Sequence, residues 1–151
     1  MSLAFRWIRR DDVPAVVAML ADDPLGANRE RYADPLPDCY WEAFEAISRT
    51  SAVDILVADL DGKVVGCLQL AMIPGLARQG MKRAQIEAVR VQSDHRSRKV
   101  GEALVNEAIR RANSAGCGLV ELTTDKQRPS AHRFYERLGF VATHEGMKLI
   151  L

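Results

Sequence analysis

The stretch that decides the fold is Ala84-Gln85-Ile86-Glu87-Ala88-Val89-Arg90-Val91, then the polar segment Gln92 to Lys99, then Val100-Gly101-Glu102-Ala103-Leu104. The first run reads as a strand, and the polar segment ends it. From about Val100 to Ala115, Leu104, Val105, Ala108, Ile109 and Ala112 share one helical face, with Glu102, Glu107, Arg110 and Arg111 elsewhere and Gly116 as the stop. A strand that becomes a helix through Arg96, Arg98 and Lys99 brings three cations to the unpaired N–H groups of a helix start. Such a point binds phosphate. A helix N-terminus contributes roughly 0.3–1 kcal/mol toward an anion and a charge-assisted hydrogen bond about 1.5–3 kcal/mol, so side chains and amides must act together to hold a pyrophosphate. Gly101 lets the phosphate approach the backbone closely. The competing reading is an ordinary solvated turn, but positive charge at a helix start opposes the helix dipole and needs another reason to be there.

Working outward, Leu3 to Arg9 reads as a strand, and Asp12-Val13-Pro14 opens a helix with Asp12 as N-cap and Val16, Val17 and Leu20 at helical spacing. Ala21 to Pro37 is the one long loop. Tyr40 to Ser48 carries Trp41, Phe44 and Ile47 as a helical stripe that belongs to the core. Val53 to Ala58 and Val64 to Ile73 are β-branched runs around Asp61-Gly62, a strong hairpin signal. Pro74-Gly75 breaks the second run and Gly80 ends a loop. Beyond the central helix, Leu119 to Thr123 reads as a strand, and Ser130 suits the N-cap of a short helix through Leu138, stopped by Gly139. Phe140 to Thr143 and Met147 to Leu151 look like a closing hairpin around Glu145-Gly146. The expected class is α/β of mixed α+β type, with the order strand, two helices, three strands, helix, strand, helix, two strands. That makes about seven strands in a mixed central sheet with helices on both faces.

A chain of 151 residues, 48% of them apolar, fits one domain spanning 1–151. Its 21 Lys and Arg against 20 Asp and Glu create no overall field for nucleic acid or membrane, so an anion site must be local. No apolar run approaches a membrane span and the N-terminus lacks a signal-peptide core, which implies a cytoplasmic protein. Cys39, Cys67 and Cys117 are odd in number and widely spaced, which argues against a disulfide framework or a metal knuckle and for buried thiols. A Walker A loop is excluded for want of Gly-Lys-Ser/Thr, and a dinucleotide fingerprint for want of three spaced glycines.

Glu87 falls by period two on the same strand face as Val89 and Val91, in a region expected to be covered on both sides, where a carboxylate is expensive unless it is used. A carboxylate put to use there is a candidate general base, acting directly or through water, and Glu87 is that candidate. A purely structural carboxylate is the alternative. Tyr135 alone reads as a half-buried helix residue with its hydroxyl at a surface.

At this point the chain resembles the GNAT superfamily of N-acetyltransferases, whose signature is Arg/Gln-x-x-Gly-x-Gly/Ala after the fourth strand. Arg98-x-x-Gly101-x-Ala103 matches literally, while Arg96-x-x-Lys99-x-Gly101 better matches the order of strand, turn and helix and is the preferred register, with Lys99 in the place of a glycine. Ile86 to Val91 looks like the family's fourth strand, and Ala131-His132-Arg133-Phe134-Tyr135-Glu136-Arg137-Leu138-Gly139-Phe140 is similar to its late aromatic motif.

The resemblance implies acetyl-CoA as cofactor, no metal, and direct attack by a primary amine of a small molecule or peptide. It implies cofactor contacts at Val89, Arg90 and Val91, at Arg96, Ser97, Arg98, Lys99, Val100, Gly101 and Glu102, and at Arg128, Ala131 and Phe134. Arg128 stands where the family often has Asn. Tyr135 would protonate the leaving thiolate, and a backbone N–H near Val89 to Val91 would stabilise the developing oxyanion. The alternatives are a non-catalytic acyl-CoA-binding or sensing domain and a nucleic-acid module, the latter undercut by the near-neutral charge. Cys117, after Gly116 at a helix end, suits a buried thiol better than an acyl carrier. His95 and His144 read as turn residues, and His132 as a surface or supporting group one helical turn before Tyr135. The acceptor side falls on Leu25 to Trp41 and Pro74 to Lys82, a charge mixture that selects neither a polyamine nor a sugar phosphate. Monomer and homodimer both remain open.

Overall fold

The computed structural model describes residues 2–96 and 99–151. Two compact units make it up, Met1–Glu121 and Leu122–Leu151. The elements run β1 (Leu3–Trp7), α1 (Val13–Ala21), α2 (Asp38–Ser48), β2 (Val53–Leu60), β3 (Lys63–Ile73), a single turn α3 (Ala77–Gly80), β4 (Arg83–Val91), α4 (Val100–Ser114), β5 (Leu119–Leu122) and α5 (Pro129–Arg137).

The strands form one sheet in the order β1-β2-β3-β4-β5. β1 to β4 are successive antiparallel neighbours, with Leu3 opposite Leu60, Val57 opposite Cys67 and Leu70 opposite Ile86. The β2–β3 turn has Asp61 at φ 51° and Gly62 at φ 90°, the left-handed pair that a two-residue hairpin requires and that the Asp-Gly signal predicts. β5 reaches β4 only after the α4 crossover, which makes the sheet mixed.

Both faces of this sheet are covered, because neighbouring residues that point opposite ways are equally buried: Leu56 and Val57 on β2, Cys67 and Leu68 on β3. Val57 and Cys67 pack with Val16 and Met19 of α1. On the other face α4 buries Val100, Leu104, Val105, Ala108 and Ala112, as its helical stripe predicts. α4 lies close here because residue 66 is glycine: a Cβ there would sit 3.3 Å from Val100 Cγ1 and 3.3 Å from the Arg90 carbonyl oxygen. Trp41 and Phe44 of α2 are half-buried against the cluster of Val13, Val17 and Leu36.

Several expectations are corrected. Among the described residues the sheet has five strands rather than about seven, because Phe140 to Thr143 and Met147 to Leu151 belong to no strand. β-branched composition expresses a fit to a pleated surface, and a run becomes a strand only where a partner ladder meets it. α5 begins at Pro129, with Arg128 in the N-cap place, rather than at Ser130, since the fixed φ of proline suits the first helical position. Cys67 is buried, and burial pushes its thiol up to about 12, but Cys39 is exposed and Cys117 only partly covered.

Asp12 precedes α1 without capping it through its side chain. Its carboxylate instead accepts from Arg6 Nη1 at 2.7 Å, Arg6 Nη2 at 3.0 Å and the Arg9 backbone N–H at 2.7 Å. Arg6 also reaches Asp59 at 3.0 Å, so one guanidinium joins β1, β2 and the start of α1. Burial alone would raise the Asp12 pKa, but the Arg6 and Arg9 bonds outweigh it and hold the carboxyl below its usual range. Glu107 on α4 is held down to about 2 by Arg110 and Arg111. Arg111 in turn stacks over Trp7, 4.7 Å from the ring centre.

Both carboxyls are depressed in the folded state, so their stabilisation is full above the ordinary carboxylate range and is lost as pH falls through it. Asp12→Asn is therefore expected to cost about 2–3 kcal/mol at pH 7, because it leaves part of a largely buried guanidinium unpaired. The same variant should lose less stability than the parent between pH 5 and pH 3, read as chemical denaturation midpoints across that range.

Candidate active site

The site-bearing part of the first unit is β4, the turn after it and the start of α4. β4 does not keep a simple period. Its pairing with β3 shifts between Cys67 and Gln69, so that Arg90 lies opposite Cys67 but Glu87 opposite Gln69. The extra residue is accommodated at Ala88, whose φ is +54°, a left-handed conformation that an alanine adopts only when its surroundings impose it. A bulge rotates the strand and re-aims the groups after it, here Val89, Arg90 and Val91.

Glu87 lies just before the bulge. Ala84 and Ile86 are buried, whereas Glu87 is exposed. The alternation holds as far as Glu87, so its exposure means that the face of β4 opposite Ala84 and Ile86 is uncovered at this position, contrary to the expected cover on both sides. Glu87 is therefore an accessible carboxylate just ahead of the bulge.

After β4 a short turn, Ser93–His95, leads to Arg96. Arg96 Nε donates to the Val91 carbonyl at 3.2 Å and Nη2 to the Asp22 carbonyl at 3.0 Å, and the Asp22 carboxylate lies 3.5 Å from Nη2. Arg90 is tied to the same corner, with Nη2 3.6 Å from the Asp23 carboxylate and Nη1 donating to its neighbour's carbonyl, that of Val89, at 2.9 Å. Asp23 also accepts from the Gly26 N–H at 2.9 Å. The end of α1 thus anchors both the end of β4 and the turn. Ser97 and Arg98, two of the expected phosphate contacts, lie outside the described residues.

Lys99 stands at the N-cap of α4 with φ 58° and ψ 21°, left-handed. This is the conformation a glycine supplies at no steric cost, so the backbone carries the glycine's shape although the residue is lysine. A lysine side chain has no acceptor, and accordingly it makes no capping bond to the first-turn amides. Val100 is buried against the sheet, Gly101 is half-buried and Glu102 is exposed in the first turn of α4.

The second unit carries the remaining expected residues on and beside α5. Arg128 precedes the helix, and its carbonyl accepts from the N–H groups of Ala131 and His132 at 3.1 and 3.2 Å. Phe134, Tyr135 and Phe140 form an edge-to-face series with ring centres 5.0 and 5.8 Å apart, which fixes the half-buried Tyr135 ring. His132 pairs with Glu136 at 2.9 Å, one turn along the helix, in keeping with a supporting or surface residue. A cavity of about 330 Å³ lies at the start of α5, lined by Asp125, Lys126, Arg128, Pro129, His132 and Arg133.

The structure brings Glu87, Val89, Arg90, Val91, Arg96, Lys99, Val100, Gly101 and Glu102 together along β4 and its turn, and it groups Arg128, Ala131, Phe134 and Tyr135 around α5. Asp22 and Asp23 have no counterpart among the sequence expectations. Their partners lie 67 and 74 positions away, and Asp-Asp-Pro after a helix carries only a loop signal. Among the described residues no group of three or more His, Cys, Asp or Glu could hold a metal ion, and no helix is long and apolar enough to cross a membrane.

Residues 14–140 match the acetyltransferase (GNAT) family model. The chain is 36% identical to the aminoalkylphosphonate N-acetyltransferase of Salmonella typhimurium over 92% of its length and 85% of that protein's. It is 31% identical over 99 residues to an uncharacterised N-acetyltransferase of Methanocaldococcus jannaschii, a match spanning 64% of this chain and only 43% of that protein. A crystal structure described as a transcriptional regulator from Bacillus halodurans superposes with a TM-score of 0.97 at 47% identity, covering 99% of this chain and 100% of the other.

Two non-glycine residues in left-handed conformation flank the turn, at a cost of roughly 1–2 kcal/mol each. Lys99→Gly should therefore raise stability by about 0.5–1 kcal/mol, whereas Ala88→Val should lower it by about 1–2 kcal/mol, both read from urea denaturation midpoints.

Proposed function

From membership of the acetyltransferase (GNAT) family, to which this chain belongs, we propose that residues 1–151 act as one cytoplasmic acetyltransferase domain that transfers the acetyl group of acetyl-CoA to a small primary amine. The observation that carries this reading is the start of α4, where Lys99 adopts the left-handed shape of a glycine and leaves the first-turn amides without a side-chain cap. Amides so placed are donors for a pyrophosphate, and Arg96 and Lys99 add the charge that a helix end alone does not supply. Acetyl-CoA supplies an acyl group activated as a thioester.

In this reading Glu87 takes the proton that the acceptor ammonium must lose, and its exposure makes it reachable directly or through one water. The amine lone pair forms the new N–C bond at the thioester carbon, and the C–S bond breaks. Tyr135 gives its hydroxyl proton to the departing thiolate, so that coenzyme A leaves as the thiol, and it regains a proton from the second one that the attacking nitrogen sheds as the amide forms. A backbone N–H after the Ala88 bulge stabilises the charge that builds on the carbonyl oxygen. Arg128, Ala131 and Phe134 are the further cofactor contacts that the family resemblance implies.

The acceptor side retains fewer open charges than its composition suggests. Glu30 accepts from the Tyr40 hydroxyl at 2.9 Å, and Lys82 donates to the Ala115 carbonyl at 2.7 Å. A relative that acts on aminoalkylphosphonates by name makes short amines with an acidic end the first acceptors to try.

The test is an acetyl-CoA turnover screen over aminoalkylphosphonates, amino acids, polyamines, aminoglycosides, amino sugars and peptide N-termini. Thiol release on at least one amine is expected. On the best acceptor, Tyr135→Phe and Glu87→Gln should each lower kcat by about 10²–10⁴-fold, and Arg96→Ala should raise the KM for acetyl-CoA by roughly tenfold or more. Cofactor binding without turnover on any amine would instead support a sensing domain, and unchanged kcat in both variants would remove Glu87 and Tyr135 from the chemistry.

A further inference from the structure

The two faces of the sheet are not covered to the same extent. On the α4 face of β3, Leu68 and Leu70 are 0% and 2% exposed. On the other face Cys67 is 1% exposed where it packs with Val16 and Met19 of α1, whereas Gln69, Ala71 and Ile73 are only half-buried. The α1 cover therefore ends between Cys67 and Gln69. Register carries this open stretch across three strands: Ile55 of β2 is opposite Gln69, Gln69 is opposite Glu87 of β4, and Ala71 is opposite Gln85. Residues that share a row lie on one face of a sheet. The open floor is thus Ile55, Gln69, Ala71, Ile73, Gln85 and Glu87, and the bulge at Ala88 closes its end toward the cofactor turn.

The cations that border this floor are engaged elsewhere. In a regular strand Glu87 and Arg90 would point to opposite faces, but the bulge gives them Gln69 and Cys67 as partners, two apart on β3, so both face this side. Arg90 lies 3.6 Å from the Asp23 carboxylate, and Arg83, toward the start of β4, lies 3.5 Å from Glu121. Between them, the polar side chains beside Glu87 are the carboxamides of Gln69 and Gln85. Among the described residues neither carboxamide has a hydrogen-bond partner, and neither has the Glu87 carboxylate. A half-buried amide with its donors and acceptor unused by the protein is open to a ligand.

We infer that Gln69 determines acceptor specificity: its carboxamide N–H donates to an oxygen of the acceptor while Glu87 receives the acceptor's ammonium. The site then prefers primary amines that carry an oxygen close to the nitrogen, as amino alcohols, amino acids and aminoalkylphosphonates do, over plain alkylamines. The inference rests on the acetyltransferase reading, with Glu87 as its base. Residues directly opposite in an antiparallel ladder have Cβ atoms roughly 4.5–5.5 Å apart, so a nitrogen held at Glu87 and an oxygen held at Gln69 are separated by about the span of an N–C–C–O chain. A neutral carboxamide reads that oxygen by hydrogen bonding rather than by charge, so a hydroxyl satisfies it as an acid does. An alkylamine of the same length leaves the amide unpaired against carbon, which is how a site built to bond an oxygen rejects an analogue without one.

The experiment is the ratio of kcat/KM for ethanolamine to that for propylamine, which differ by a hydroxyl against a methyl group, measured on the full chain at saturating acetyl-CoA with 2-aminoethylphosphonate as a third acceptor. The wild type should favour ethanolamine by roughly tenfold. Gln69→Leu should bring the ratio to about one, and Gln69→Asn, whose amide is withdrawn by a single methylene, to about threefold, a graded response that a merely structural role does not give. The ratio cancels a loss of overall activity, so a destabilised variant still reports on it. A wild-type ratio near one, or a ratio unchanged in both variants, overturns the inference. So does a preference for 2-aminoethylphosphonate alone that Gln69→Leu leaves intact, because a cation then reads the acid. Thiol release with no amine removes the acetyltransferase reading and this inference with it, whereas release without dependence on Gln69 removes this inference alone.

Discussion

The close seating of α4 on the sheet at Gly66 is the constraint on which the rest of the first unit depends. A methyl group at that position would meet both the Val100 side chain and the Arg90 carbonyl at 3.3 Å. Without it, the first turn of α4 rests directly on β3 and β4. Leu104, Val105 and Ala108 then reach the same face as Leu56 and Leu68, and burial of that face stabilises the helix far more than its propensity does. The position of the helix start, and so of its unpaired amides, is a consequence of core packing.

A second set of forces fixes what surrounds that helix start. Asp22 and Asp23 at the end of α1 hold Arg96 and Arg90, and the Arg6, Asp12 and Asp59 cluster fixes α1 itself to β1 and β2. The pairs differ in weight. Asp12 and Arg6 are largely shielded from water, as are Asp23 and Arg90, whereas Asp22 and Arg96 are mostly exposed and contribute little to stability. Under the proposed function, the exposed Arg96 would exchange these protein partners for the cofactor's oxygens.

Among the described residues, two of the five non-glycine positions at positive φ lie where the chemistry is proposed, the others being Asp61, Arg78 and Gln79. Ala88 and Lys99 both adopt left-handed conformations, one inside a strand and one at a helix start, and they bracket the segment that would face the cofactor. In the first case the ladder between β3 and β4 imposes the conformation, and in the second the seating of α4 does. Neither is a residue that would choose it. The family pattern meets the second position with glycine, and here lysine takes the same backbone shape while adding a charge.

The order of elements up to α5 was legible from periodicity and turn chemistry, as were the Asp61-Gly62 hairpin and the buried stripe of α4. These depend on neighbours within a few residues, which is the range over which a sequence speaks directly. Tertiary structure decided the rest. The bulge at Ala88 arises from the pairing of β4 with β3, and the exposure of Glu87 from an uncovered face of β4 at that position. The Asp22 and Asp23 anchors join residues some seventy positions apart. The last two β-prone runs found no ladder within the chain, because strand formation needs a second backbone that no local pattern can supply.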